Sequence, residues 1–161
     1  MSETALGAGA AARAALASGG SASDRMGGDW APVLAEVPLF ADLSSRHLKR
    51  IAKLAHTRRF SHGAAILRAG DPGNAFYVLL DGAVKVVPAR GKPVRLEGGA
   101  SFGEMALLDD SPRSADVVAD GEVLTMTISR RAFEKLLRSE PSLSRVLLRT
   151  LAQRLRAAQG D

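Results

Sequence analysis

Gly98-Gly99-Ala100-Ser101-Phe102-Gly103-Glu104-Met105-Ala106-Leu107-Leu108-Asp109-Asp110-Ser111-Pro112-Arg113-Ser114-Ala115 breaks the rhythm of the short β-like runs on either side of it. Its glycines, single apolar stretch and Asp-Asp-Ser-Pro sequence predict a loop, one helical turn over Glu104 to Leu107, and a second loop. Gly103, lacking a Cβ, lets the backbone bend and approach a ligand closely. The turn that follows leaves its first N–H groups without intrahelical partners, and free donors together with the helix dipole favour an anion there. Arg113 adds a planar fork able to bond two phosphate oxygens.

A carboxylate beside an anion site is paradoxical unless Glu104 faces another part of the ligand. A sugar 2′-hydroxyl resolves this, because it needs an acceptor and a carboxylate takes its proton in a charge-assisted bond. Glu104 and Arg113 lie nine positions apart across a Gly- and Pro-marked loop, which is not the spacing of a helical ion pair. Together they form a candidate reader of ribose phosphates.

Working outward, residues 57–128 carry turn signals at intervals: Gly70-Asp71-Pro72-Gly73-Asn74, Asp81-Gly82, Gly91-Lys92-Pro93, Gly98-Gly99 and Asp120-Gly121. Short strands between closely spaced turns predict an antiparallel sandwich or roll of about eight strands. Asp81-Gly82, between Phe76–Leu80 and Val84–Val87, predicts a tight hairpin. Leu124, Met126 and Ile128 share one face of a strand and predict a core lining. Before the strands, Trp30, Val33, Leu34, Val37, Leu39 and Phe40 fit a packed helix, and Ser44 or Ser45 can cap a second one carrying Leu48, Ile51, Ala52, Leu54 and Ala55. After them, Ala132, Phe133, Leu136 and Leu137 fall at helical spacing, and Pro141 can open a last helix with Leu143, Val146, Leu147, Leu151 and Leu155 on one side. The fold class is therefore mainly β, a jelly-roll-like β-roll with N-terminal helices and two C-terminal helices, over 29–161. Residues 1–28 are almost entirely small and polar, with Leu6, Leu16 and Met26 as the larger apolar side chains, and are expected to be disordered.

Phe102-Gly103-Glu104-Met105-Ala106-Leu107-Leu108 followed by Pro112-Arg113-Ser114-Ala115 resembles the phosphate-binding cassette of cyclic-nucleotide-binding domains, the family of catabolite activator proteins, cyclic-AMP-dependent kinase regulatory subunits and cyclic-nucleotide-gated channels. The resemblance runs from about Trp30 to Arg156. It implies a ligand, cyclic AMP or less favourably cyclic GMP, and no cofactor. It implies Glu104 on the ribose 2′-hydroxyl, Arg113 on the exocyclic phosphate oxygens, the backbone N–H groups of Ala106 and Ser114 on the phosphate, and Gly103 against the ribose. Phe102, Met105 and Ala115 complete the implied binding set. Ser114 stands where members carry Ala, Ser or Thr, so it does not decide adenine against guanine. The last helix often lends a lid residue over the base. Arg154, Arg156 and Gln159 are the candidates, and Arg154 lies nearest the apolar side.

The remaining composition narrows the function class. There are 22 Lys and Arg against 17 Asp and Glu, a formal charge of +5, but the basic residues are scattered in pairs such as Arg58-Arg59 and Arg130-Arg131. That pattern suits a solvated surface rather than a nucleic-acid track. Cysteine is absent, which excludes thiol chemistry and disulfides. No apolar run nears the roughly 18 residues of a membrane span, and no signal peptide is legible, so a cytoplasmic protein free of membranes is expected. His47, His56 and His62 lack partners at metal or triad spacing and are expected to be solvated. Asp109-Asp110 reads as a loop tip, and Ser111 and Ser114 lack a partner base, so no enzyme is expected. Transcription factors of the family append a helix-turn-helix after the last helix, for which nothing remains before Asp161. The expected output is through an unidentified downstream protein, with the chain a monomer or a weak homodimer through its last helix. The rival expectation is a ligand-independent interaction or oligomerisation module on the same fold.

Overall fold

The computed structural model describes residues 30–160; the expectation of a disordered segment over 1–28 falls outside them. Helix α1 (Ala31–Ala35) leads into a 3-10 turn (Pro38–Phe40) and helix α2 (Ser45–Ala52). Six strands follow, β1 (His56–Phe60), β2 (Ala65–Leu67), β3 (Ala75–Pro88), β4 (Val94–Glu97), β5 (Ser101–Phe102) and β6 (Ala115–Ser129), with a 3-10 turn at Glu104–Leu107 between the last two. Helices α3 (Arg130–Ser139) and α4 (Pro141–Ala158) close the chain. Local chemistry sets the helix starts. Ser44 accepts from the His47 N–H at 3.3 Å, Ser129 accepts from the Ala132 N–H at 3.1 Å, and Pro141 occupies the first turn of α4, where its missing N–H costs nothing.

The strands form one antiparallel six-stranded sheet in the order β1-β6-β3-β4, with β2 on β6 and β5 on β3. The expected count of eight is corrected by β3 and β6, each of which runs through a site read as a turn. Asp81-Gly82 is not a hairpin. Leu79 pairs with Thr125, Asp81 with Leu124 and Ala83 with Asp120, so the register slips twice around Gly82. Gly82 and Gly121 both hold φ of +92°, a conformation open to glycine, and a Cβ on Gly82 would strike the Glu122 carbonyl. The paired bulge bends both long strands at one level and rolls the sheet without ending either strand.

Rolling separates two apolar layers by the two-residue alternation of β3. Phe76, Val78 and Leu80 face one cluster with Leu124, Met126 and Ile128, and with Trp30, Phe40 and Ile51 of the N-terminal elements and Phe133 and Leu143 of the C-terminal ones. Tyr77, Leu79, Val84, Val117, Ala119 and Val123 line the inside of the roll. Phe40 joins the ends of the chain, its ring 6.1 Å from Phe76 and 5.9 Å from Phe133.

Polar contacts fasten α4 to the N-terminal helices. The Thr150 hydroxyl donates to Asp42 at 2.7 Å, and Glu140, in the elbow between α3 and α4, pairs with Arg50 at 2.9 Å. His47 is corrected from solvated to buried, its Nε2 lying 3.1 Å from the Ser142 hydroxyl. His62 accepts from the Gly121 N–H at 2.8 Å. The apolar stripe of α4 stops at Leu151. Leu155, expected on it, is 60% exposed, close to the 67% of Leu148, which lies off the stripe.

Candidate functional site

The turn at Glu104–Leu107 forms where expected, opened by Gly103 at φ +80°. Its Ala106 N–H, expected on a phosphate, donates to the Gly103 carbonyl at 3.0 Å and closes the turn instead of standing free. The loop after β2 braces the far arm of the site: Pro72 bridges to Pro112, the Arg113 N–H donates to the Asp71 carbonyl at 2.8 Å, and the Gly70 N–H returns a bond to the Arg113 carbonyl at 2.8 Å. Gly73 is required here, since a Cβ would lie 2.8 Å from the Ala106 Cβ. The stretch Gly70-Asp71-Pro72-Gly73-Asn74 is thus a second wall of the site.

Arg113 points back over Gly103. Its Nη2 donates to the Ala75 carbonyl, and a Cβ on Gly103 would stand 2.5 Å from its Nη1. Burial pushes the Arg113 guanidinium below its ordinary pKa, partly opposed by Tyr77, yet an arginine stays charged in proteins. Its Nε is buried without a hydrogen-bond partner.

Glu104 does not pair with Arg113. Its Oε1 lies 3.5 Å from Nη1 of Arg154 on α4, with the Glu104 side chain 20% and the Arg154 side chain 45% exposed. The other carboxylate oxygen, Oε2, is buried without a partner. Arg154, the expected lid residue, lies on the carboxylate expected to read a ribose. Of the other expected binding residues, Phe102 stacks on Tyr77 at 5.2 Å, Met105 is 47% exposed, Ser114 is exposed, and Ala115 begins β6 opposite Pro88.

Arg113 also opens into a cavity of about 400 Å³ lined by Arg58, Arg68, Asp71, Asn74 and Tyr77. Sequence reading did not single out these lining residues as site residues. Arg58, Phe60 and Tyr77 carry a two-residue alternation that places them on the inner face, and this was the available signal. Among the described residues there is no group of three His, Asp or Glu side chains that could hold a metal.

A β-roll flanked by helices, with a turn set on a left-handed glycine and an arginine folded over it, defines a ligand-binding regulatory module. The chain belongs to the cyclic nucleotide-binding domain family, whose model matches residues 57–140. It is 36% identical over 104 residues to a cAMP-dependent protein kinase regulatory subunit of Hypocrea atroviridis, covering 65% of this chain and 22% of that protein. In three dimensions it is similar to the N-terminal domain of a transcriptional regulator from Streptomyces coelicolor A3(2), with a TM-score of 0.69, 28% identity, and 78% of this chain and 93% of that one covered. It is also similar to the regulatory domain of Toxoplasma gondii PKA in co-crystals with cAMP, with a TM-score of 0.59, 25% identity, and 77% and 49% covered. The chain spans between 20% and 35% of the length of the curated relatives it matches. No helix among the described residues is long and apolar enough to cross a membrane.

Proposed function

We propose that the chain is a non-catalytic sensor that binds cyclic AMP in preference to cyclic GMP and passes binding on through α4. The observation that carries this reading is that both charged residues next to Gly103 keep a buried atom without a partner: Glu104 Oε2, an acceptor, and Arg113 Nε, a donor. Buried polar atoms are almost always bonded. An unpartnered acceptor and an unpartnered donor on two residues that adjoin Gly103 suit a ligand that brings a hydroxyl and an anionic oxygen together, as a ribose cyclic phosphate does. Glu104 takes the 2′-hydroxyl, Arg113 takes the exocyclic phosphate oxygens, and Gly103 gives the sugar room. Cyclic AMP is favoured because the matched relative is named a cAMP-dependent kinase regulatory subunit and the solved neighbour holds cAMP.

Transmission follows from the Glu104–Arg154 pair. A ribose hydroxyl on Oε2 would share its carboxylate with Arg154 on Oε1, so ligand and α4 meet on one side chain, and differential contact is what lets a ligand shift a conformational equilibrium. The orphaned atoms favour this over a ligand-independent interaction module. Calorimetric titration with cyclic AMP and cyclic GMP tests it. Saturable binding with cyclic AMP the tighter ligand is expected, and no heat with either at millimolar concentration refutes it.

A further inference from the structure

The phosphate reading uses one guanidinium, but the cavity that Arg113 enters contains two more. Arg58 and Arg68 line it together with Arg113, and Asp71 is the sole carboxylate of the lining. Among the described residues neither Arg58 nor Arg68 takes part in an ion pair. A 3′,5′-cyclic mononucleotide carries one negative charge, which Arg113 balances alone, so the other two cations are in excess of what that ligand needs.

Both side chains are exposed at the cavity mouth, and their surroundings aim them at it. The Arg58 guanidinium lies 4.9 Å over the Phe60 ring, and Phe60 in turn meets Tyr77 at 6.3 Å. A guanidinium held by its face keeps its N–H edges free for in-plane bonds to oxygen. Arg68 is fixed to Arg113 through the backbone: its carbonyl accepts from the Asp71 N–H at 3.1 Å, and the Asp71 carbonyl accepts from the Arg113 N–H at 2.8 Å. The next residue, Ala69, donates to Asp116 at 2.7 Å. Asn74 adds a polar amide to the same wall.

We infer that Arg58 and Arg68 form a second anion subsite beside the one at Arg113, and that the cavity accepts a nucleotide bearing two separate phosphates. The ligand class is a cyclic dinucleotide: one phosphate at Arg113, the other between Arg58 and Arg68. This rests on the proposed role of Arg113 and extends the ligand rather than the site's chemistry.

The test is calorimetric titration of the full chain with cyclic AMP and with cyclic di-AMP, in the wild type and in Arg58→Gln and Arg68→Gln. Cyclic di-AMP is expected to bind the wild type at least roughly tenfold tighter than cyclic AMP, since a charge-assisted bond is worth that much or more. Each variant is expected to lose about tenfold or more for the dinucleotide and less than about threefold for cyclic AMP. Arg58 and Arg68 are both exposed, and the Arg68 variant stands even if Arg58→Gln, by losing its contact with Phe60, lowers the thermal midpoint. Cyclic AMP binding with no gain from the dinucleotide overturns the second subsite and leaves the proposed function intact. Equal losses for both ligands in the variants also overturn it, because the two arginines would then serve the single phosphate. Binding of neither ligand by the wild type removes the proposed function and the subsite with it.

Discussion

Replacing Arg113 and Glu104 by Ala, one at a time, separates the two jobs assigned to the site when each variant meets cyclic AMP and its 2′-deoxy analogue. Arg113 is half-buried, with Nε orphaned and Nη2 on the Ala75 carbonyl. Arg113→Ala leaves a bound phosphate without its countercharge and the Ala75 carbonyl without its donor. Breaking a fully buried charge pair costs about 3–5 kcal/mol. The cavity beside Arg113 is open, so about 2–4 kcal/mol is the fitting range, or roughly 30-fold to 1,000-fold in affinity. Glu104→Ala removes one charged acceptor of a hydroxyl, about 1.5–3 kcal/mol. The 2′-deoxy analogue is expected to bind wild type weakly and to lose little more in Glu104→Ala, while Arg113→Ala is penalised with either sugar. Calorimetry or competition against a fluorescent cyclic nucleotide reads all six combinations. Equal binding of the deoxy and parent nucleotides by the wild type would refute the ribose-reading geometry.

Gly103→Ala is expected to weaken cyclic AMP binding by about tenfold or more and to lower stability by about 1–3 kcal/mol, because it forces a Cβ onto a left-handed φ of +80° and against the Arg113 guanidinium; titration and urea unfolding check the two effects separately. Cyclic AMP at a hundredfold excess over its dissociation constant should stabilise the protein by about 2.7 kcal/mol, seen as a rise in thermal midpoint that Arg113→Ala cuts, at the same concentration, to about 1 kcal/mol or less. Phe40→Ala removes the ring shared by Phe76 and Phe133 and should cost about 3–5 kcal/mol in denaturant midpoint; a loss under 1 kcal/mol would mean the two ends of the chain do not share one core. Arg50→Ala leaves the buried Glu140 with Arg46 at 3.9 Å, and with Arg50 itself 46% exposed the expected loss is about 1–2 kcal/mol, read from chemical denaturation.

The cassette was legible because its chemistry is local: a glycine, a carboxylate, one turn and an arginine within a short stretch announce themselves by residue type. Helices were legible for a similar reason, since Ser44, Ser129 and Pro141 act on the residues beside them. What the sequence concealed depends on partners far along the chain. Asp81-Gly82 has the composition of a hairpin turn, but the choice between turn and bulge is made by β6, whose Gly121 bends at the same level. Arg154 carried no mark that it would reach Glu104, because the reach depends on how α4 leaves the elbow at Glu140. The burial of His47 likewise comes from Ser142 and Glu140, both on the distant elbow.

That elbow sets how strongly the site can move the rest of the molecule. A ligand shifts a two-state helix only by the difference in its affinity for the two positions. The Glu104–Arg154 pair is half-exposed on the arginine side, and an ion pair of that kind is worth up to about 1 kcal/mol, a bias of roughly fivefold. Against it stand the holds that keep α4 on the N-terminal helices: Thr150 on Asp42, Arg50 on Glu140, and Ser142 on His47. On the α4 side they run from Glu140 to Thr150, whereas Arg154 sits beyond Leu151 in the turns that are exposed. On the proposed reading, losing the Arg154 pair would bear on the last turns of α4 and leave its base held. On the same reading, displacing the whole helix, and α2 with it, would take a ligand that touches α4 directly as well as binding Glu104.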